Sequence, residues 1–144
     1  MDVYSNNRTK LNTDRIKRID DKIIVFAETI PVLGEGFFEF PFPLKGKIKQ
    51  AQSACKYPSD ADMSLKVQKC ARDLYGTAGE TWEDVFSEPI RINANEKDSN
   101  IVNTPNSNQH SVNNGDYFRT FVTSIGTGMQ NLVTQVMIEV VTEE

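Results

Sequence analysis

VNNGDYFRTFVTSIGTGMQNLVTQVMIEVV, residues 112–141, is the stretch that decides the fold. It opens with the turn-forming residues NNGD, continues into an aromatic and β-branched segment at 117–124, and breaks at a Gly-Thr-Gly turn. From Leu132 to Val140, every second residue belongs to a mostly apolar set. A period of two is typical of a strand with one buried face, so this stretch predicts two β-strands joined by a short loop.

We expect these two strands to pair with each other as an antiparallel hairpin centred near Gly128. That register sets Phe118 opposite Ile138 and Val122 opposite Thr134, so that all four side chains share one face. The hairpin is therefore expected to present a single apolar face to a hydrophobic core.

Short strands separated by turns account for most of the remaining chain, and no segment has the period of a long helix. A buried strand is expected at 23–26. In the segment 37–44 the even positions share one face, and Pro41 and Pro43 lack an N–H for a ladder, which places this strand at a sheet edge. The pattern predicts an all-β chain, an antiparallel β-sandwich over residues 23–144. Further strands are expected at 46–55, 63–67 and 90–92.

Residues 1–22 are predicted to form an N-terminal arm. They carry six Lys/Arg against four Asp, a balance of +2, whereas the remainder carries ten against sixteen, a balance of −6. After Thr13, the residues Ile16, Ile19 and Ile23 fall at helical spacing, which is compatible with one or two helical turns or with an arm that orders only on a neighbouring subunit. The basic arm is expected to dock on an acidic protein surface, and a solvated tail is the alternative. The proposed contact residues are Arg8, Lys10, Arg15, Lys17 and Arg18.

The length of 144 residues suits a single domain. No apolar run reaches the length of about 18 residues that a membrane helix needs, and the polar N-terminus lacks the apolar segment of a signal peptide. We therefore expect a chain that is made in a cytoplasm and has no membrane partner. Nucleic acid is not an expected partner either, because the body is acidic and its aromatic residues are needed for the core.

Cys55 and Cys70 are expected to remain free thiols. A hairpin that turns at 57–60 would set them several residues out of register, farther apart than a disulfide bond allows. At least one of the two is expected to be buried, as is usual for a thiol in a reducing cytoplasm.

The sequence predicts no cofactor, no metal site and no catalytic residue. His110 lies in a polar loop with almost no apolar residue to fix it against Ser107, Ser111 or Asp116, so we expect an exposed loop histidine rather than a triad member. Glu96 and Asp98 are compatible with a weak calcium site, and a solvated loop is the alternative. No phosphate-binding loop or CxxC pair is present.

Trp82 and the long loop 93–114 are the remaining candidates for binding. The loop contains eight Asn, and it either binds a ligand or crosses between sheets, pinned by Ile101 and Val102. Trp82 is expected in the core or in a subunit contact, with a platform for stacking sugars as the alternative. Arg119 is expected to point away from the core, as a solvated charge or in an inter-subunit ion pair.

Several segments, taken in order, look familiar. They are FFEFPFPLKGKIKQAQSA, DMSLKVQKC, TWEDVFSEPIRINANEKDSN, and the GDYFR strand followed by a Gly-x-Gly turn and a long amphipathic strand. Over residues 36–142 the chain resembles small jelly-roll proteins of tailed bacteriophage particles. The resemblance implies a jelly roll without an active site, located in the virion and assembled in the cytoplasm of the host bacterium. It also implies a homo-oligomer, commonly a trimer, whose symmetry covers exposed edges such as residues 37–42.

Within that family, a sandwich with a basic arm resembles head decoration or cement proteins. The resemblance then implies a structural role in which residues 1–22 contact the phage capsid protein. The alternative is a tail-fibre or baseplate module that binds a glycan of the host surface, using Trp82 and the loops 71–81 and 93–114.

Overall fold

The computed structural model describes residues 17–107 and 109–143, with side chains described for 20–107 and 109–140. In this part of the chain every regular element is a β-strand. These residues accordingly contain no helix that could span a membrane. The strands are β1 (Lys17–Glu28), β2 (Gly34–Glu35), β3 (Phe40–Pro41), β4 (Gly46–Tyr57), β5 (Met63–Cys70), β6 (Glu83–Asp84), β7 (Ile90–Ile92), β8 (Ser111–Val112), β9 (Tyr117–Ser124) and β10 (Gln130–Glu143).

The strands form two antiparallel sheets. Sheet A has the order β1-β10-β4-β8, and sheet B has the order β2-β9-β5-β6, with β3 also beside β9 and β7 also beside β5. β2 and β3 can be counted as one interrupted strand, and so can β6 and β7, which leaves eight strands in all. The chain then crosses from one sheet to the other at every connection except the one after β5. This is the strand order of a jelly roll, so the predicted antiparallel, jelly-roll-like β-sandwich is confirmed.

The predicted pairing of the last two strands is wrong, although the predicted faces are right. β9 belongs to sheet B and β10 to sheet A, so Phe118 does not pair with Ile138. Both side chains are nevertheless fully buried, as are Val122 and Thr134 at 1% exposure each. Two strands that face each other across a core bury the same alternate positions as two strands paired in a hairpin, which is why the sequence pattern did not distinguish them.

β1 differs from two expectations. Residues 23–26 do not form a fully buried strand, because Ile24 and Phe26 are buried whereas Ile23 and Val25 are about half exposed. The helical spacing after Thr13 does not continue as a helix either, since the chain is a strand from Lys17 onward and pairs with β10 over twelve positions. The last six residues of the predicted arm, 17–22, therefore belong to sheet A.

The core lies between the sheets and is filled from almost every strand. Met63 and Leu65 of β5, Ile92 of β7, Phe118 of β9 and Ile138 of β10 are completely buried. Single-domain chains of this size bury enough apolar surface to be stable without disulfides or metals.

The segments at 37–44 and 93–114 take the positions that their composition suggested. β3 contains only two residues and lies at the edge of sheet B, as its prolines require, but only Phe40 and Phe42 of its predicted face pack into or against the core. The long loop crosses from β7 in sheet B to β8 in sheet A, and Val102 pins it through a bridge to Ala51. The crossover interpretation is thus confirmed, but only Val102 anchors the loop, because Ile101 is 55% exposed.

Candidate functional site

The outer face of sheet B carries a cluster of aromatic side chains around one arginine, here called the Arg119 cluster (Tyr75, Trp82, Tyr117 and Arg119). The guanidinium carbon of Arg119 lies 4.3 Å from the centroid of the Trp82 ring, a cation–π contact. The Tyr75 ring stacks on the Tyr117 ring with 3.7 Å between their centroids. The Tyr75 ring also contacts the Trp82 ring edge-on, with 6.1 Å between centroids. Trp82 is therefore neither in the core nor exposed, but half-buried on the outside of the sandwich.

Arg119 is satisfied within one chain. Its Nη1 lies 2.8 Å from Glu35 Oε2 and 3.4 Å from Glu39 Oε2, and its Nε donates to Gln68 Oε1 at 2.9 Å. Only 12% of the side chain is exposed. Alternation along β9 sends it away from the core, as predicted, but it is neither a solvated charge nor in need of an ion pair from a second subunit.

The loop 71–81 is fastened to this cluster by hydrogen bonds. The Tyr75 hydroxyl donates to Glu39 Oε1 at 2.8 Å, and this bond to a carboxylate raises the pKa of Tyr75 to about 12. Trp82 Nε1 donates to Glu80 Oε2 at 3.0 Å, which lowers the pKa of Glu80. The aromatic rings are thus held in one arrangement by both stacking and polar contacts.

A polar cavity of about 270 Å³ opens beside Trp82. Its other walls are Glu83 and Asp84 of β6 and two amides of the long loop, Asn106 and Gln109. The Asn106 amide nitrogen donates to the backbone oxygen of Asp84 at 2.8 Å, which ties the loop to the sheet at this point. The structure therefore brings Trp82 and the loop 93–114 together, as the glycan alternative requires.

A larger cavity of about 560 Å³ lies along the first half of the long loop. Its lining is mostly polar and includes Arg91, Glu96 and Asp98. Among the described residues, no three His, Cys, Asp or Glu side chains are grouped so that they could hold a metal ion. Glu96 and Asp98 thus line the same groove.

His110 lies in the long loop as expected, but it is half-buried rather than exposed. Its Nδ1 lies 2.8 Å from the backbone oxygen of Ser107, whereas the Asp116 carboxylate accepts the backbone N–H of Asn113 at 2.8 Å. Asp116 also lies 3.9 Å from the ammonium group of Lys69. Both groups therefore serve the local turn structure.

Cys55 and Cys70 are both free and both buried, as predicted. The reason differs from the predicted one, because β4 and β5 lie in different sheets and do not form a hairpin. Burial raises the pKa of both thiols, so neither is activated as a nucleophile.

The proposed arm contacts remain predictions. Arg8, Lys10 and Arg15 lie outside the described residues, and Lys17 and Arg18 lie in β1 at the edge of sheet A, opposite Glu143 and Thr142.

Comparison with known proteins adds little. No family model matches the sequence, and no curated protein matches it. Among solved structures, a chain titled Desmodium yellow mottle tymovirus is similar over 88% of this chain and 90% of its own length, at 10% sequence identity and a TM-score of 0.29. Likeness at this level carries no argument, so the jelly-roll assignment rests on the strand order itself.

The sequence pointed to Trp82 and Arg119 but missed the residues that position them. Tyr117 and Arg119 alternate with the buried residues of β9, which predicts their shared outer face. Glu35 and Glu39 lie about 80 residues away along the chain, and nothing local signals that they reach Arg119.

Proposed function

We propose that this chain is a non-enzymatic structural protein of a tailed-bacteriophage particle, a homo-oligomer that attaches to the capsid through its N-terminal arm. The observation that carries the proposal is the jelly-roll strand order, which is found in viral capsid and lectin domains. The resemblance of residues 36–142 to phage jelly-roll proteins supports the same setting. Decoration of the head is the favoured role, with a trimer assembled in the cytoplasm of the host bacterium.

The position of β1 suits attachment through the residues that precede it. β1 is an edge strand of sheet A, so Lys17 lies at the side of the sandwich. A segment that orders on binding covers a large surface, and several copies bound to a symmetric shell gain affinity by avidity. The basic residues Arg8, Lys10 and Arg15 would then face acidic side chains of the capsid protein.

Deletion of residues 1–16 tests this role. A deletion that extends to residue 22 is unsuitable, because it removes half of β1 and its pairing with β10. We expect the shorter deletion to leave the thermal transition unchanged and to reduce binding to bare phage heads at least tenfold in a co-sedimentation assay. The matched control, Lys56→Gln with Lys97→Gln, removes exposed positive charge from the body and should bind like the intact chain. Full binding by the deletion variant would refute the role of the arm.

Glycan binding is a second candidate function, and the cavity beside Trp82 favours it. Sugar sites combine an aromatic ring with carboxylates and amides that bond to hydroxyl groups, and here Trp82 stands beside Glu83, Asp84 and Gln109. This function would suit a tail-fibre or baseplate module.

A glycan array probed with the intact chain and with Gln109→Ala tests this candidate. We expect a hit whose affinity falls at least tenfold in Gln109→Ala and in Trp82→Ala, whereas the control Gln52→Ala, on the opposite sheet, binds normally. An array without hits, or normal binding by both cavity variants, would remove glycan binding from consideration.

A further inference from the structure

Five of the exposed apolar side chains in the described residues lie within nine residues of the chain, 30–38, and are here called the Phe37 patch. They lie in the connection from β1 to β2 and in the link between β2 and β3, at the edge of sheet B. Phe37 is 77% exposed, more than any other large hydrophobic residue there. The members of the patch are Ile30 (60%), Val32 (53%), Leu33 (62%), Phe37 and Phe38 (54%).

The patch is held in place on both sides. The Gly36 N–H donates to the Thr120 carbonyl at 2.9 Å, and the Phe42 N–H donates to the Asp116 carbonyl at 2.8 Å. Phe40 stacks on Phe26 with 4.8 Å between ring centroids. The two exposed phenylalanines therefore lie between anchored residues, so they cannot turn into the core without breaking these contacts.

The patch is large enough to form the centre of an interface. A fully buried aromatic side chain covers about 150–250 Å². At the exposed fractions given above, the five side chains together present on the order of 500 Å², against about 800 Å² per partner in a standard interface. The largest apolar patch on a typical monomer covers about 300–600 Å² and is often functional, and the Phe37 patch falls in this range.

The scarcity of charge in the patch favours a second copy of this chain as the partner. Residues 29–34 and 36–38 contain no charged side chain. Glu35, which lies between them, is 65% exposed, and its charge is paired with that of Arg119 at 2.8 Å. The patch therefore offers little to a strongly charged partner, and constant exposure of it to water would promote aggregation. Permanent, mainly apolar interfaces are typical of homo-oligomers, whose partner is present from the moment of synthesis.

We propose that the Phe37 patch is the surface through which copies of this chain assemble, with a second copy of the chain as its occupant. The inference deepens the self-association that is part of the proposed function. It locates the contact at the edge of sheet B, which leaves the arm and the outer face of sheet A available for the particle.

Another half-exposed apolar group provides a control. Ile23, Val25 and Ile101 lie at the outer face of sheet A at 50–55% exposure, beside the polar side chains of Gln52 and Gln135. The apolar side chains of this surface are thus mixed with amides. Ile101→Ser thus removes a comparable exposed side chain without touching the Phe37 patch.

The test is the mass of the full chain in solution, measured by sedimentation equilibrium over a hundredfold range of concentration. We expect the intact chain and Ile101→Ser to be stable oligomers, and Leu33→Ser combined with Phe37→Ser to be a folded monomer of 16.2 kDa. Both substituted side chains are more than 60% exposed, so the variant should keep the circular dichroism spectrum and thermal transition of the intact chain. A second variant, Phe38→Ser, should weaken assembly at least tenfold.

An intact chain that is monomeric throughout, or a double variant that assembles like the intact chain, would overturn the inference. A monomer that binds heads, and loses that binding when Leu33 and Phe37 are changed, would also overturn it, because the occupant would then be the capsid. An oligomer that depends on the patch but ignores heads would support the inference while refuting the capsid role.

Discussion

Glu28, at the end of β1, places a carboxyl group between the two sheets. The residue is 7% exposed, and its Oε1 accepts a hydrogen bond from the Thr120 hydroxyl at 3.2 Å. Burial raises the pKa of Glu28 above its ordinary value of 4.5, and the bond from Thr120 offsets only part of this effect. The folded state therefore keeps this proton to higher pH than the unfolded state does.

Glu28→Gln is accordingly expected to stabilise the protein at neutral pH. The contribution of Glu28 to the free energy of unfolding is fully present below pH 4.5, and it is lost as the pH rises through the raised pKa of the folded state. The amide introduced by the substitution stays neutral at every pH, and its oxygen can still accept the Thr120 bond. We expect a melting temperature about 2–5 °C higher than that of the intact chain at pH 7, the size expected for about 1 kcal/mol, and a difference near zero at pH 4.

Thermal denaturation at a series of pH values measures this difference. Glu88→Gln, at an exposed carboxyl group, is the control and should leave the melting temperature unchanged to within about 1 °C of the intact chain, on the order expected for surface substitutions. A Glu28→Gln variant that is equally or less stable at pH 7 would show that the carboxyl group is not penalised by its surroundings.

β4 and β10 lie very close together where β4 begins. A Cβ atom on Gly46 would lie 2.5 Å from the backbone oxygen of Glu139 and 2.8 Å from Cγ2 of Ile138. The register between the two strands also shifts at this end, between Met137 and Ile138. Only glycine fits at this position, because any Cβ atom would collide with the backbone of the neighbouring strand.

Gly46→Ala is expected to destabilise the protein by about 1–3 kcal/mol, the usual cost of overpacking. Urea denaturation followed by circular dichroism gives this value. Gly79→Ala is the matched control, because the nearest atom to its Cβ would be Leu74 Cδ2 at 3.5 Å, an ordinary contact. Equal stability of the two variants would contradict the close approach of the strands.

The sequence predicted which side of each strand is buried better than it predicted which strands are neighbours. Alternation in β9 and β10 follows from contact with the core, and it is the same whether the two strands pair or face each other. The crossing between sheets is set by tertiary packing, so the hairpin prediction was wrong. The Arg119 cluster was predictable only in part for a similar reason, since Trp82 and Glu35 reach Arg119 from distant segments.

The whole molecule has three surfaces with different character. The edge of sheet B is apolar at the Phe37 patch, its outer face carries the Arg119 cluster and a polar cavity, and the edge of sheet A leads to the basic arm. We assign these surfaces to self-assembly, to a second candidate function in glycan binding, and to attachment, respectively. Under these proposals, one small jelly roll would join its own copies and a larger shell at the same time.

The central claim, that this chain attaches to the head of a phage particle as a structural component, is tested most directly by co-sedimentation of the purified full chain with bare phage heads. We predict that binding saturates at a fixed number of copies per head. This number should match the number of equivalent positions that the symmetry of the shell provides. Absence of binding at all concentrations, or binding that never saturates, would contradict attachment to the head as a specific structural role.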